Sequence, residues 1–298
     1  MSKSITLVMG VALLSACGGK HPGNYETLVS QNANTSTAES ITTEADALFE
    51  ERADQAKLEA AVAKYKEAIT ADPLNRYAHE RVVRGTYFLA DAFTEDKEQK
   101  IALFLEAIEW GKRCLAINQD FASRINGGEK EKDAVTATGM DDTPCLYWTA
   151  SALGKWAKAN GIAKALKHIP TVKAYISKVE ELNDEYWHHG PTRYWGAYYS
   201  VLPSFAGRDL DRSSSYFEQT IKDSPGYLGS YVLRAEHWAV ATQNVTQFDA
   251  DLKKVVEFDI STVPELAPEN GREQIKAKKL IEQRNELFEK KAIEAAAQ

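Results

Sequence analysis

Beyond position 17 the sequence holds two cysteines, Cys114 and Cys145, and no Cys-x-x-Cys pair, so neither a thiolate metal cage nor a dithiol redox centre is available. No His-Glu-x-x-His run, nucleophile elbow or glycine-rich phosphate loop is present. Gly127-Gly128 lies in the polar stretch "NGGEKEKDAVTATG" and reads as a flexible loop rather than a strand-to-helix turn. There is no basic excess either: the formal charge is -7 with lysines and arginines dispersed, which excludes nucleic acid and anionic lipid surfaces as main partners. After Leu14 no apolar run reaches the roughly 20 residues of a membrane-spanning helix.

The start of the chain carries a targeting pattern. Lys3 precedes an apolar run from Ile5 to Leu14, and Leu14-Ser15-Ala16-Cys17 resembles the bacterial lipobox. Residues 1–16 are therefore expected to be a lipoprotein signal peptide, with the mature chain beginning at a lipidated Cys17. Acyl chains contribute about 0.8 kcal/mol per buried methylene, so two or three of them anchor a soluble domain without a spanning segment. Gly18 rather than Asp after the cysteine is compatible with sorting to the outer membrane of a double-membrane bacterium. An oxidising periplasm would permit a Cys114–Cys145 bridge, but the two are read here as buried free thiols.

What is present is globular: 298 residues with 44% hydrophobic and 10% aromatic content suffice for a sizeable core. Residues 17–42, rich in Gly, Asn, Ser and Thr, read as a tether, and residues 43–298 as an all-helical domain in which glycines and prolines fall between apolar-periodic runs. In "AAVAKYKEAITADP", Ala61, Tyr65, Ala68, Ile69 and Pro73 fit the second helix of a tetratricopeptide repeat, and Tyr216, Phe217, Ile221 and Pro225 form a second copy. Weaker copies fall at Ala107, Gly111 and Cys114, and at Ile176, Val179 and Leu182. The expected fold is an all-α superhelical array of helical hairpins, a TPR-like solenoid with a concave binding face.

The densest aromatic stretch is "WHHGPTRYWGAYYS", Trp187 to Ser200. Gly190 reads as a left-handed helix stop and Pro191 as the first turn of the next helix. Along that helix Tyr194, Trp195, Tyr198, Tyr199 and Leu202 form an arc wider than one core stripe. Trp195 is expected to pack, filling the space beside Gly196, while at least one of Tyr194, Tyr198 and Tyr199 reaches a cleft. Gly196 itself suggests close helix approach. Arg193 either caps carbonyls of the preceding helix or contacts a ligand. His188 and His189 are no metal pair, because adjacent helical residues point about 100° apart, and His168 and His237 are isolated. Glu236 and His237 are sequence neighbours that face different ways, which leaves them structural.

The runs "LYWTASALGKWAKANG", "YWHHGPTRYWGAYYSVLPSFAGRDLDRSSSYFEQTIKDSPGYLGSYVLRAEHWA" and "VPELAPENGREQIKAKKL", with the lipobox, resemble the T-component family of TRAP transporter systems over about Leu48 to Leu287. The likeness carries over onto a corner of Gly190, Pro191, Arg193 and Gly196, and onto Pro264, Glu265, Pro268, Glu269 and Asn270, which read as structural corners. The polar insertion from Ser123 to Asp142 departs from the family pattern. The resemblance implies a TPR-like periplasmic lipoprotein that can form homotrimers and works with a TRAP solute-binding receptor.

The resulting expectation is a non-enzymatic, lipid-anchored binding scaffold without cofactor, docking a solute receptor and offering an aromatic-lined cleft to an apolar or organic-acid ligand. The alternatives are a TPR-type envelope-assembly scaffold of the outer membrane, and a hydrolase using Glu236 and the histidines.

Overall fold

The computed structural model describes residues 33–297. The signal peptide and Cys17 lie outside them. Every regular element among the described residues is helical. The first helix, α1 (Thr35–Glu50), starts inside the stretch read as tether: the Asn34 side chain accepts from the Thr37 backbone N–H at 3.0 Å and satisfies one orphan donor of the first turn. It pairs with α2 (Gln55–Ala71), capped by Asp54, and Ala61, Tyr65, Ala68 and Ile69 all face the core, as their repeat spacing requires.

Helix α3 (Arg76–Phe88) continues through a π-helical turn, Leu89–Phe93, into the hairpin with α4 (Lys97–Ala116). The polar insertion is not a plain loop. It folds into α5 (Gln119–Asn126), α6 (Glu131–Ala134) and two 3-10 turns, because Phe121, Ile125, Ala134 and Val135 enter the central core. Buried Asp142 accepts from Asn118 at 2.7 Å and pairs with Arg76, tying the insertion to α3.

Helix α7 (Thr143–Ala159) packs on α4 and on α8 (Ile162–Leu182). Here the free-thiol expectation fails: Cys114 on α4 and Cys145 on α7 are joined, with their Cα atoms 5.8 Å apart. The helices approach so closely because Gly111 has no side chain; a Cβ there would lie 2.0 Å from the Thr149 hydroxyl oxygen. Apolar periodicity shows which face of each helix is buried, not which two faces meet.

The chain continues through α9 (Tyr186–Val201) and α10 (Leu210–Asp223) to a long rod. The rod comprises α11 (Gly229–Leu233), a second π-helical stretch (Arg234–Ala239) and α12 (Val240–Thr242). The last elements are α13 (Val245–Glu257), α14 (Ala267–Glu282), α15 (Arg284–Leu287) and α16 (Lys290–Ala296). Consecutive hairpins curl until the final helices return to the first. Glu269, in the first turn of α14, receives a bidentate pair of 3.0 Å hydrogen bonds from Arg52 at the end of α1 and one of 3.0 Å from Arg84 on α3. The concave face of the array is thereby bordered by its last helices.

Candidate functional site

The corner around Gly190 is built differently from its reading as a glycine stop. Trp187, His188 and His189 carry the left-handed backbone, with φ of 51°, 56° and 54°, and Gly190 is not left-handed. Such a turn costs roughly 1–2 kcal/mol per non-glycine residue, so tertiary contacts must hold it. Arg193 supplies two of them, donating to the carbonyl oxygens of His188 at 2.8 Å and Trp187 at 3.0 Å, and it also donates to the Tyr147 hydroxyl at 3.0 Å. The His188 ring stacks on Tyr227 at 5.4 Å, and the Arg84 guanidinium lies 4.0 Å over the Trp187 ring. Glycine at 190 serves close approach instead: a Cβ would sit 2.5 Å from the Tyr147 ring. The buried Arg193 guanidinium thus bonds the carbonyls of its own corner, and Arg193 also lines the cavity described next.

The aromatic arc on α9 divides. Trp195 is buried and donates its indole N–H to Glu180 at 2.9 Å, but it does not fill the space beside Gly196. Phe217 of α10 does, lying 3.0 Å from where a Gly196 Cβ would stand. Tyr199 turns away to stack on Tyr216 at 5.9 Å beneath Arg212. Tyr194 and Tyr198, stacked on each other at 6.2 Å, border a partly open cavity of about 760 Å³.

That cavity is the concave face of the array. One wall is aromatic, with Tyr147, Trp148, Trp187 and Tyr227 joining the two tyrosines, and Trp148 and Trp187 meeting edge to face at 5.1 Å. Burial pushes the Tyr227 hydroxyl up to about 12. The lining is also charged, and both π-helical turns contribute to it, Asp91 from the first and Glu236 and His237 from the second. Lys155 of α7 reaches Asp91 at 2.8 Å and Lys276 of α14 reaches it at 2.5 Å. Burial alone would raise the Asp91 carboxyl, but the two ammonium groups outweigh it and hold the group well below the usual carboxylate range. Burial, with Lys158 and Lys155 nearby, lowers His237 to about 4 against the pull of Glu236, so this imidazole is neutral at physiological pH.

Eight basic and five acidic side chains line the cavity, an excess of positive charge inside a chain of formal charge -7. Among the described residues no group of His, Cys, Asp and Glu is arranged to hold a metal ion. Glu236 and His237 stand 3.8 Å apart and also line the cavity.

The second resemblance segment forms the closure. Pro264 opens a 3-10 turn, Pro268 lies in the first turn of α14, and the Glu265 carbonyl accepts from Arg52 at 2.8 Å. Asn270, fully buried, accepts from the Leu228 N–H at 3.0 Å and donates to the Gly226 carbonyl at 2.9 Å, pinning the start of α11. A family model described as TRAP transporter T-component matches residues 45–288, which takes in the corner, the cavity walls and this closure.

The chain belongs to the TRAP transporter T-component family.

No curated protein matches it. As a T-component it is associated with a TRAP transporter, and its family is transporter-associated rather than an enzyme family. Among its described residues no helix is long and apolar enough to cross a membrane. Sequence reasoning missed Asp91, Lys155 and Lys276 of this T-component. Each lies on a different helix, and the π-helical turn that presents Asp91 leaves no mark in apolar spacing.

Proposed function

We propose that this T-component is a lipid-anchored partner of a periplasmic solute receptor, sited at the outer membrane and working as a homo-oligomer, and that its cavity accepts an apolar or organic-acid ligand. The observation that carries the ligand role is a cavity of about 760 Å³ lined by both aromatic and lysine side chains. Ligand sites fall at roughly 300–1,000 Å³, mostly apolar with a few convergent polar groups. Tyr194 and Tyr198 offer ring faces and a hydroxyl that tolerates water. Lys155 and Lys276 are taken up by Asp91, so the partners left for a ligand carboxylate are Lys100 and Lys158, the latter 3.9 Å from Glu236.

Two features support docking at the mouth. Leu202 and Pro203 line the cavity, and Phe205, next along the chain, is 82% exposed. Exposed Val201 and Ile162 also belong to the cavity lining. An aromatic side chain standing free beside apolar neighbours marks an interaction surface. The alternative of an envelope-assembly scaffold fits less well, because α14 borders the concave face such a scaffold would offer to a peptide and narrows it to a cavity.

The test uses 8-anilinonaphthalene-1-sulfonate, an aromatic anion that fluoresces when shielded from water, and capture of the receptor from native membranes by the tagged lipoprotein. Tyr198→Ala should weaken dye binding severalfold with little loss of stability. Trp195→Ala should cost about 3–5 kcal/mol, as for a buried large aromatic. Phe205→Ser should reduce receptor capture. If Tyr194→Ala and Tyr198→Ala melt as early as Trp195→Ala and leave dye binding unchanged, the aromatic wall is core and the ligand role is wrong.

A further inference from the structure

The final helices meet the first ones through a seam of unusual composition. Buried apolar residues form three clusters, and the one built by the C-terminal helices, around Leu228, Phe248 and Leu252, shares no member with the other two. What joins α14 to the N-terminal helices is charge. Arg52 and Arg84 converge on Glu269, Lys276 on Asp91, and Lys279 on Glu95. Arg272 lies 3.6 Å over the Phe93 ring and donates to the Ala53 carbonyl at 3.1 Å.

The seam also borders the cavity, since Arg84, Asp91, Glu95, Glu269 and Lys276 all line it. The other side of the C-terminal module is attached in the ordinary way, with the rod packed against α9 and α10. The module therefore has one attachment through the rod, where Ile221 of α10 packs on its apolar cluster, and one ionic attachment at the seam.

We propose that α14 is an ionically latched lid: the C-terminal module swings away from the N-terminal helices along this seam, and the opening admits ligand to the cavity. The physical ground is the low net cost of parting such a surface. Separating an apolar interface exposes area at about 25 cal/mol per Å². Parting ion pairs loses Coulomb energy but returns the charges to water, and for buried pairs the two nearly cancel. The lid is held in register by the bidentate Arg52–Glu269 geometry, yet no apolar core is torn when it opens. Admission through the seam rests on the reading of the cavity as a ligand site; motion of the lid does not.

Spin labels placed through Glu98→Cys on α4 and Glu282→Cys at the end of α14, both exposed and outside the seam, report the opening in the unliganded protein. Cys114 and Cys145 are already joined and do not react with the label, and Cys17 is changed to Ser for the measurement. Closed protein at low salt should give one short distance. Raising NaCl to about 1 M, where the screening length falls to roughly 3 Å, should populate a longer one. Lys276→Gln should raise that population about fivefold at fixed salt, the change expected for one lost pair of about 1 kcal/mol. Glu269→Gln should do so as well, and if that variant fails to fold, Lys276→Gln and the salt series on the otherwise unaltered chain stand alone. A single distance insensitive to salt and to Lys276→Gln overturns the latch. The rate of anilinonaphthalene sulfonate uptake should rise with the open population. Uptake that proceeds at one rate whatever the distance distribution overturns admission through the seam. A lid that moves in a protein that never binds the dye leaves the latch standing and sinks the ligand role instead.

Discussion

The Arg193 guanidinium donates to the carbonyl oxygen of His188 at 2.8 Å, so the arginine on the right-handed part of α9 clamps the left-handed turn that precedes it. A single side chain thus sets the direction in which α9 leaves its corner. It also fixes which residues of α9 reach the cavity.

Removing that clamp should be costly. Arg193→Met would leave the carbonyls of Trp187 and His188 and the Tyr147 hydroxyl without their donor, on a turn already strained. A loss of about 3 kcal/mol or more is expected from buried groups stripped of a charged partner. Arg193→Lys should recover little, since an ammonium cannot fork between two carbonyls and a hydroxyl as a guanidinium does. Denaturant melts of both variants measure this. A lysine variant as stable as the parent would show that the turn holds itself.

The Cys114–Cys145 bridge closes a loop between positions 31 apart in sequence. A cross-link of that span contributes about 3 kcal/mol by restricting the unfolded chain. Free-thiol labelling of protein unfolded without reductant should find neither cysteine. Melting in the presence of reductant should come earlier by that margin. Quantitative labelling of both thiols in protein from the periplasm would contradict the bridge.

Stability should also fall in mild acid. His79 is buried, its Nε2 lies 3.1 Å from the Pro73 carbonyl oxygen, and burial lowers its pKa from 6.5 to about 4. Between those values the unfolded chain binds a proton that the folded chain refuses, so stability rises with pH across that window. Its contribution is complete above about 6.5 and is lost as pH falls toward about 4, a change of roughly 2–3 kcal/mol. His237 adds in the same direction, with its pKa also lowered to about 4. The slope of stability against pH between 4 and 6.5 should therefore be shallower in His79→Gln, which retains a donor and does not titrate. An unchanged slope would remove His79 from the account.

Part of the candidate site was legible before the fold was known. The arc Tyr194, Trp195, Tyr198 and Tyr199 reads as wider than one core stripe, and Gly196 reads as a close approach, because helical spacing and glycine's missing Cβ are local properties. The partner of Gly196 was not legible. Phe217 lies on the next helix, and only the crossing of α9 and α10 brings it there. The left-handed turn escaped for a related reason: Trp187, His188 and His189 have no intrinsic preference for that backbone, and arginine, tyrosine and tryptophan side chains from other turns impose it.

Sequence alone determined the helical class, the hairpin periodicity and the buried register of α2, where Ala61, Tyr65 and Ala68 each have no exposed surface. These follow from the 3.6-residue period and the small-residue spacing of paired helices, which depend on neighbours a few positions apart. Tertiary structure decided the closure, the bridge and the cavity. Arg52 and Glu269 are separated by 217 positions, and they meet because small rotations at each successive hairpin add up to bring the last helix back to the first. No stretch of sequence contains that sum, so the cavity and its charged lining exist only once the whole array has been built.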